Sequence, residues 1–436
     1  MCRSRVSASP RQSATPAARS AVGTLALLAL MFFDCGPAPR APLDDDARRY
    51  VRLAAALGER DPDSLDFYAG PADVVADIRR NPPPLAAIKR DAGSLSAHFR
   101  ARHDPDPVER IRVRTLVRDL SALIARVDLL TGTRLPYDRE SVAFFGVAPG
   151  PIDERRLAGI RSQIAERVGH DGRLVDRYTA FAARFTVPAD RLPQVMRAAI
   201  EECRRRTIAH VALPPEEELR LEFVRDKPWS AFSRYLGDAR SVVQINTDFL
   251  FTVDQALQIA CHEGYPGHHV RNMQIAPRRD SAGPPERSIQ LMFSAEALES
   301  EASAMLAPDV AFPLEERVAF LRERLFPLAG LEPAGAQRHV DVERLVGELQ
   351  DVHADVTRRY LDGALEFARA VSAFEEQALV PHAEALVKYI NQFRSYVTTY
   401  TAGRQMLAAR LAACAGRDRT DETRWRCFKT ETLSVP

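Results

Sequence analysis

The nine residues from Cys261 to His269, CHEGYPGHH, constrain the local fold more than any other stretch of the chain. They contain three of the ten histidines, and a proline and a glycine separate the first histidine from the other two. Pro266 has no N–H for the carbonyl of His262, and proline disfavours a helical conformation at the residue before it. A helix that enters this stretch must therefore end or kink inside it.

The sequence before this stretch predicts a helix that runs into it. Thr252 and Gln255 have the spacing of a capping box. Further upstream, apolar and charged residues alternate, which predicts a small sheet with strands near 219–225, 232–236 and 241–245. Most of the remaining chain repeats apolar residues at intervals of three and four, as amphipathic helices do. The predicted fold class is mainly α with a small β-sheet next to the helix that carries the histidines.

The break in the helix decides which histidines can share a metal ion. On an unbroken helix, the partner of His262 on the same face would be residue 266, which is a proline. His268 would point elsewhere, and His269 would lie about 10 Å further along the axis. Gly267 can adopt a positive φ that turns the chain back sharply. We therefore predict that the Pro-Gly kink brings His268 to His262, so that both bind one zinc ion.

Composition and the N-terminus indicate where the protein is located. The 436 residues carry a net charge of +1, so no overall field favours nucleic acid, and no nucleic-acid partner is expected. Residues 1–40 are arginine-rich with an apolar run, which predicts a signal peptide or lipoprotein leader with a linker. Export to the cell envelope, the periplasm or the outside is expected, and lipid anchoring to the membrane at Cys35 stays open. Residues 41–436 are predicted to form one large, mostly helical domain, in which Cys414 and Cys427 could pair.

The stretch HEGYPGHH resembles the HExxPGHH signature of the DUF885 family of bacterial proteins, which look like relatives of zinc metallopeptidases. Further segments that look familial are SLDFYAG near the start, KPWSAF and INTD before the signature, and RSYVTTYTAGR near the end. The resemblance covers most of residues 41–436, and the histidine signature is its most specific part. It implies a gluzincin-like metallopeptidase architecture.

A catalytic zinc ion needs a third protein ligand and one open position. The candidates are Glu296, Glu299 and Glu301, in a segment rich in small residues that allow close helix packing. Relatives carry a Glu-Gly-x-Ala element here, and the resemblance matches it at Glu299 and Ala302, with Ser300 in place of glycine. We therefore expect Glu299 to be the ligand, with Glu296 in reserve. Glu301 would point about 160° away from Glu299 on a helix.

Two further residues of the signature have predicted roles. Glu263 follows a ligand without being one, so we expect it to act as the general base that takes a proton from the attacking water. His269 is expected to contact substrate or support the site, and a role as a spare metal ligand ranks behind these.

The segment RSYVTTYTAGR offers donors for the oxyanion of a tetrahedral intermediate. The resemblance favours Tyr400, with Gly403 allowing close approach, and Arg404 is a candidate for substrate binding. Arg394 and Tyr396 are also available. Tyr396 and Tyr400 are four residues apart on one helical face, so plain core packing is an equally good explanation of the pair.

These features together predict an exported zinc-dependent metallopeptidase that hydrolyses peptide bonds with a metal-activated water. Two alternatives use the same residues: a zinc hydrolase of a non-peptide amide or ester, and a surface binding protein on a decayed peptidase scaffold. Substrate identity, the choice between internal and terminal cleavage, and oligomeric state stay open at this stage.

Overall fold

The apolar periodicity of the sequence appears in the structure as a mostly helical chain. The computed structural model describes residues 42–102, 106–227, 229–275 and 283–433, and the predicted leader with Cys35 lies outside them. Within the described residues the α-helices are, in chain order, α1 Pro42–Arg60, α2 Ala72–Arg80, α3 Leu85–Ala101, α4 Pro107–Leu130, α5 Tyr137–Phe145, α6 Glu154–Ala165, α7 Leu174–Ala183, α8 Leu192–Ile208, α9 Val253–Ile259, α10 His268–Ile275, α11 Ala295–Ala311, α12 Leu314–Phe320, α13 Phe326–Ala329, α14 Ala336–Gly347, α15 Asp351–Leu361, α16 Phe367–Gln377, α17 Glu384–Phe393, α18 Arg404–Ala415 and α19 Asp421–Phe428.

Two small sheets accompany these helices in the described part of the chain. The predicted sheet is present with the strand order β2-β4-β3, in which β4 pairs in parallel with β2 and antiparallel with β3. A second, two-stranded antiparallel sheet joins β1 and β5 and was not predicted, because its strands have only four and three residues. The strands are β1 Leu65–Tyr68, β2 Glu218–Val224, β3 Ala231–Gly237, β4 Arg240–Asn246 and β5 Ile289–Leu291.

Helix α11 lies at the centre of the packing. Of its 17 residues, 13 are buried, and Ser294 caps its N-terminus by accepting a hydrogen bond from the Ala297 amide. Its side chains belong to separate apolar clusters, with Leu298 in one and Leu306 in another. Because most faces of α11 contact another element, some of its polar side chains, such as Ser300 and Glu301, are buried inside the protein.

The cysteines and the hydropathy of the helices were the remaining structural features to compare with the sequence. The disulfide between Cys414 and Cys427 is present, with the Cα atoms 5.7 Å apart. Cys203 and Cys261 are free thiols in the buried core. In the described ranges, no helix is both long enough and apolar enough to cross a membrane.

Candidate metal centre

The kinked segment between α9 and α10 carries the histidines. Thr252 and Gln255 form the predicted capping box at the start of α9. The helix then widens into a π-helical turn over Ala260–Gly264, and the Tyr265-Pro266 peptide bond is cis. Wide π-helical turns within helices are frequent at functional sites. The helix restarts at His268, so the predicted break between the histidines is confirmed.

Gly267 is required in this kink for a different reason from the predicted one. Gly267 is not among the described glycines with a positive φ. Instead, its backbone packs so closely that an added Cβ would lie 1.8 Å from the carbonyl oxygen of His262. Its amide donates to the carbonyl of Cys261 at 3.0 Å. The prediction of a positive φ was therefore wrong, and the absence of a side chain is what allows the chain to fold back.

Three side chains converge at the kink. His262, His268 and Glu301 each offer a ligand atom, and these atoms all lie within 4.8 Å of one another. The Nε2 atoms of both histidines are 3.5 Å from the Glu301 carboxylate, one near each oxygen. All three side chains are largely buried, with exposed fractions between 12% and 18%. The structure thus brings the two predicted histidines together with one carboxylate of α11.

Neighbouring hydroxyl groups orient the cluster. Tyr396 donates to the Oε1 atom of Glu301 at 3.0 Å, while the Oε2 atom is buried without a hydrogen-bond partner. The Nδ1 atom of His268 lies 3.1 Å from the hydroxyl of Ser300, which leaves Nε2 directed at the cluster. Neither Ser300 nor Tyr396 was predicted to hold a ligand in place.

The expected third residue, Glu299, lies elsewhere. Its carboxylate forms a bidentate ion pair with Arg410, with distances of 2.7 and 2.8 Å. The Glu299 side chain is 28% exposed. The reserve candidate Glu296 pairs with Arg271 at 2.6 Å. Both expectations were wrong, because they rested on a short motif match in a helix that is buried on nearly every side. Such a helix can direct Glu301 at the histidines and its other acids at arginines.

The electrostatics of the cluster favour a cation. Burial alone would raise the pKa of Glu301, but the nearby His268 and His262 outweigh it and lower that pKa well below its usual range. For His268, burial alone would lower the pKa, but Glu301 outweighs it and raises the pKa to about 9. The carboxylate is therefore ionised and attracts positive charge to this point.

Glu263 lies beside the cluster, with its Oε1 atom 3.9 Å from the Nε2 atom of His262. It is buried, and burial raises the pKa of its carboxyl group, partly offset by the two histidines and by a hydrogen bond from the Ser233 backbone. A buried carboxylate with a raised pKa beside a candidate metal site is suited to accept a proton and return it.

His269 does not face the cluster. It is fully buried, with Nδ1 2.7 Å from the hydroxyl of Ser241 and Nε2 3.1 Å from the Glu217 carboxylate. Both ring nitrogens are thus occupied within the protein, so the geometry fits the expected supporting role of His269, and the alternative contact with substrate stays a prediction. Glu217 also accepts hydrogen bonds from Tyr265 and from Arg204. The Glu217 carboxylate therefore ties together the residues on both sides of Pro266 and holds the kink.

A cavity of about 870 Å³ opens onto His262 and Glu263. Tyr400 lines it, and its hydroxyl is 3.2 Å from that of Tyr389, which lines it too. Arg404 is not among the described residues of the cavity wall. The structure therefore places Tyr400 where a substrate could reach it, whereas Tyr396 is occupied with Glu301.

Another acid near the histidines was missed. Asp66, in β1, accepts a hydrogen bond from Gln290 of β5 at 2.6 Å, and burial raises the pKa of its carboxyl group to about 6, partly offset by His268. It belongs to the segment SLDFYAG, for whose acid no role was predicted. A charged residue inside a short apolar strand is a signal that could have singled it out.

The fold and the site together define a mainly helical protein with a buried cluster of two histidines and one carboxylate at the end of a cavity. No family model matches the chain. No curated protein matches it.

Solved structures with a similar fold have been found. A proposed lipoprotein of Colwellia psychrerythraea has a TM-score of 0.52 and 16% identity, covering 91% of this chain and 75% of the other. Metallocarboxypeptidase 1 of Trypanosoma cruzi has a TM-score of 0.42 and 15% identity, over 90% and 89% of the two chains. A proposed lipoprotein of unknown function from Shewanella oneidensis has a TM-score of 0.42 and 13% identity, over 91% and 80%. At such identities the first similarity shows a shared fold and nothing more, and a TM-score of 0.42 supports no inference.

Proposed function

We propose that this protein is an exported zinc-dependent peptidase in which His262, His268 and Glu301 hold the metal. The observation that carries the proposal is the convergence of these three side chains, with ligand atoms within 4.8 Å of one another, next to Glu263 and a cavity. Two imidazoles and one carboxylate, with one position left open, are the ligand set of many catalytic zinc sites.

Two of the distances within the cluster fit such an ion. Two atoms that bind one tetrahedral zinc ion at about 2.0–2.2 Å lie about 3.3–3.6 Å apart. Each histidine Nε2 is 3.5 Å from a Glu301 oxygen, which is long for a charged hydrogen bond. The Oε2 atom of Glu301 is buried without a hydrogen-bond partner, and a metal ion would satisfy it. When bound, zinc supplies Lewis acidity that activates water and polarises a substrate carbonyl.

The protein's own residues would then perform the proton transfers. Glu263 is buried beside His262 and is proposed to take a proton from the attacking water and deliver it to the leaving amine. Tyr400 lines the same cavity, and its hydroxyl is proposed to donate a hydrogen bond to the oxyanion that develops during attack. Tyr389, 3.2 Å from the Tyr400 hydroxyl, would orient it.

The position of the three-stranded sheet supports a peptide as substrate. Strand β3 is at the edge of the sheet, and its first residue, Ala231, lines the cavity together with Trp229 and Ser230. An extended peptide can add to such an edge through main-chain hydrogen bonds. This arrangement favours a peptide over a small amide or ester.

A location in the cell envelope is also proposed. It is supported by the leader-like sequence of residues 1–40 and by the disulfide between Cys414 and Cys427, since disulfides persist in oxidising compartments.

The decisive experiment is the variant Glu263→Gln, which keeps the shape of the side chain and removes the base. We expect turnover of a mixed peptide library to fall by about 10²–10⁴-fold, the usual contribution of a general base, while zinc content stays stoichiometric. The control is Glu323→Gln, at an exposed acid paired with Arg322, which should behave like the wild type. Wild-type activity in Glu263→Gln, or a purified wild-type protein that binds no zinc, would contradict the proposal.

A further inference from the structure

The wall of the cavity is mostly apolar. Aromatic and aliphatic side chains from several elements contribute to it, and the loop before α17 supplies a proline. Threonine, glutamine and tyrosine side chains also line it, and a cavity that combines apolar walls with such uncharged polar groups is typical of ligand-binding sites. The main apolar members are Trp229, Phe249, Leu250, Ile259, Val380 and Leu386.

The charged members of this wall are acidic. Asp248 and Glu263 are carboxylates, and the described residues that line the cavity include no lysine and no arginine. A bound divalent ion would be balanced by Glu301 and Glu263, so it adds no net positive charge to the site. A substrate carboxylate that entered the cavity would therefore meet two acids, with no lysine or arginine among the described lining residues to hold it, and such like-charge contacts disfavour a ligand.

On this basis, and given the peptidase proposed above, we propose that the cavity binds an uncharged, apolar stretch of an extended polypeptide. Cleavage then falls inside peptide chains, away from a free C-terminal carboxylate. A carboxypeptidase would need a cationic group to hold that terminus, since carboxylates are recognised in proteins through arginine or lysine.

The position of Trp229 provides a direct measure of binding. The chain has two tryptophans: Trp229 lines the cavity, while Trp425 is buried against His210. Occupation of the cavity should thus change the fluorescence of Trp229 and leave that of Trp425 constant. Binding can be measured on metal-free wild-type protein, so the result does not depend on turnover.

The test uses four synthetic octapeptides of alanine, leucine and phenylalanine. The first is blocked at both ends, by acetylation and amidation. The second has a free C-terminal carboxylate and the third has a free N-terminal amine, each with its other end blocked. The fourth is blocked at both ends and carries two internal glutamates. We expect the blocked apolar peptide to bind to the metal-free protein at least about tenfold more tightly than the glutamate peptide. With zinc-loaded wild type, products analysed by mass spectrometry should arise from internal bonds.

A charge placed on the rim should change this preference. Leu250 lines the cavity and is 81% exposed, so Leu250→Lys introduces a cation without disturbing the core. The affinity for the glutamate peptide, divided by the affinity for the apolar peptide, should rise by about three- to fivefold, which is the effect of an exposed ion pair. Leu314→Lys, at an exposed leucine of α12 that does not line the cavity, is the matched control and should leave the ratio unchanged.

The outcomes separate this inference from the function on which it rests. If no peptide is cleaved, or if Glu263→Gln cleaves as the wild type does, the peptidase itself is refuted. If peptides are cleaved by release of single residues from a free C-terminus, or if the glutamate peptide binds as tightly as the apolar one, the peptidase stands and the proposed substrate class is wrong.

Discussion

The kinked segment from Cys261 to His269 and helix α11 both direct a side chain at the same point, but different contacts hold them there. In the kink, short-range bonds and a missing side chain fix the backbone, and Glu217 ties both sides of it together. In α11, the backbone is an ordinary helix and tertiary contacts decide where each acid points. Local geometry thus positions the histidines, whereas packing selects the carboxylate.

The largest expected effect tests whether Glu301, and not Glu299, is the metal ligand on α11. Glu301→Gln should reduce zinc affinity by more than the about 100-fold typical of a residue that only supports a ligand, and turnover should fall with it. Glu299→Gln, two residues away on the same helix, should keep its zinc and lose at most about 1 kcal/mol of stability with the Arg410 ion pair. Zinc content and affinity of both variants provide the measurement. Loss of zinc in Glu299→Gln with retention in Glu301→Gln would reverse the assignment.

The next prediction tests the local geometry of the kink. Gly267→Ala places a methyl group against the His262 carbonyl, where backbone cannot move aside easily. We expect the free energy of unfolding to fall by about 3 kcal/mol or more, which is the upper end of the range for substitutions that add a methyl group to a closely packed position. Gly93→Ala in α3, where nothing lies within 4 Å, should instead add about 0.5–1 kcal/mol. Equal stability of the two variants in urea unfolding would show that the kink tolerates a side chain.

Much of the kink could be predicted from the sequence, since proline at 266 and the capping box at Thr252 act within a few residues. The same holds for the sheet before it, whose strands follow the alternation of apolar and charged residues. The third carboxylate could not be predicted, because α11 is buried on nearly all sides. Its sequence therefore has no continuous polar face from which the acid that points at the histidines could be told apart. The contact that gives His269 its supporting position could not be predicted either, because its partner Glu217 lies 52 residues away.

A smaller effect is expected from the contacts that hold the kink from outside. Burial would raise the pKa of Glu217, but hydrogen bonds from His269, Tyr265 and Arg204 outweigh it and lower the pKa to about 2. A lowered carboxyl pKa stabilises the fold above the unfolded pKa, and this stabilisation is lost as the pH falls through the folded pKa.

Glu217→Gln should therefore cost on the order of 1–3 kcal/mol at pH 7, the range for a hydrogen-bonded charged group. The difference from the wild type should shrink as the pH falls from about 4.5 to about 2. Thermal unfolding of both proteins across this range is the measurement. A difference that does not depend on pH would show that the carboxylate charge is not what holds the kink.

The smallest effect is expected at the contact between helix α11 and the kinked segment. The hydroxyl of Ser300 on α11 lies 3.1 Å from Nδ1 of His268 in the kink, so Ser300→Ala should reduce zinc affinity by about tenfold. Ser303→Ala is the matched control, because its hydroxyl donates to the carbonyl of Ser300 and touches no histidine. Competition with a fluorescent zinc chelator would measure both affinities, and an equal loss in the two variants would mean that only general packing was changed.

Anomalous diffraction at the zinc absorption edge, from crystals grown with zinc, tests the central claim most directly. The account predicts one strong peak within about 2.0–2.2 Å of the Nε2 atoms of His262 and His268 and of a Glu301 oxygen, with Glu263 nearby and uncoordinated. A peak bound by Glu299 or His269, or zinc bound only on the surface while this cluster stays empty, would contradict it.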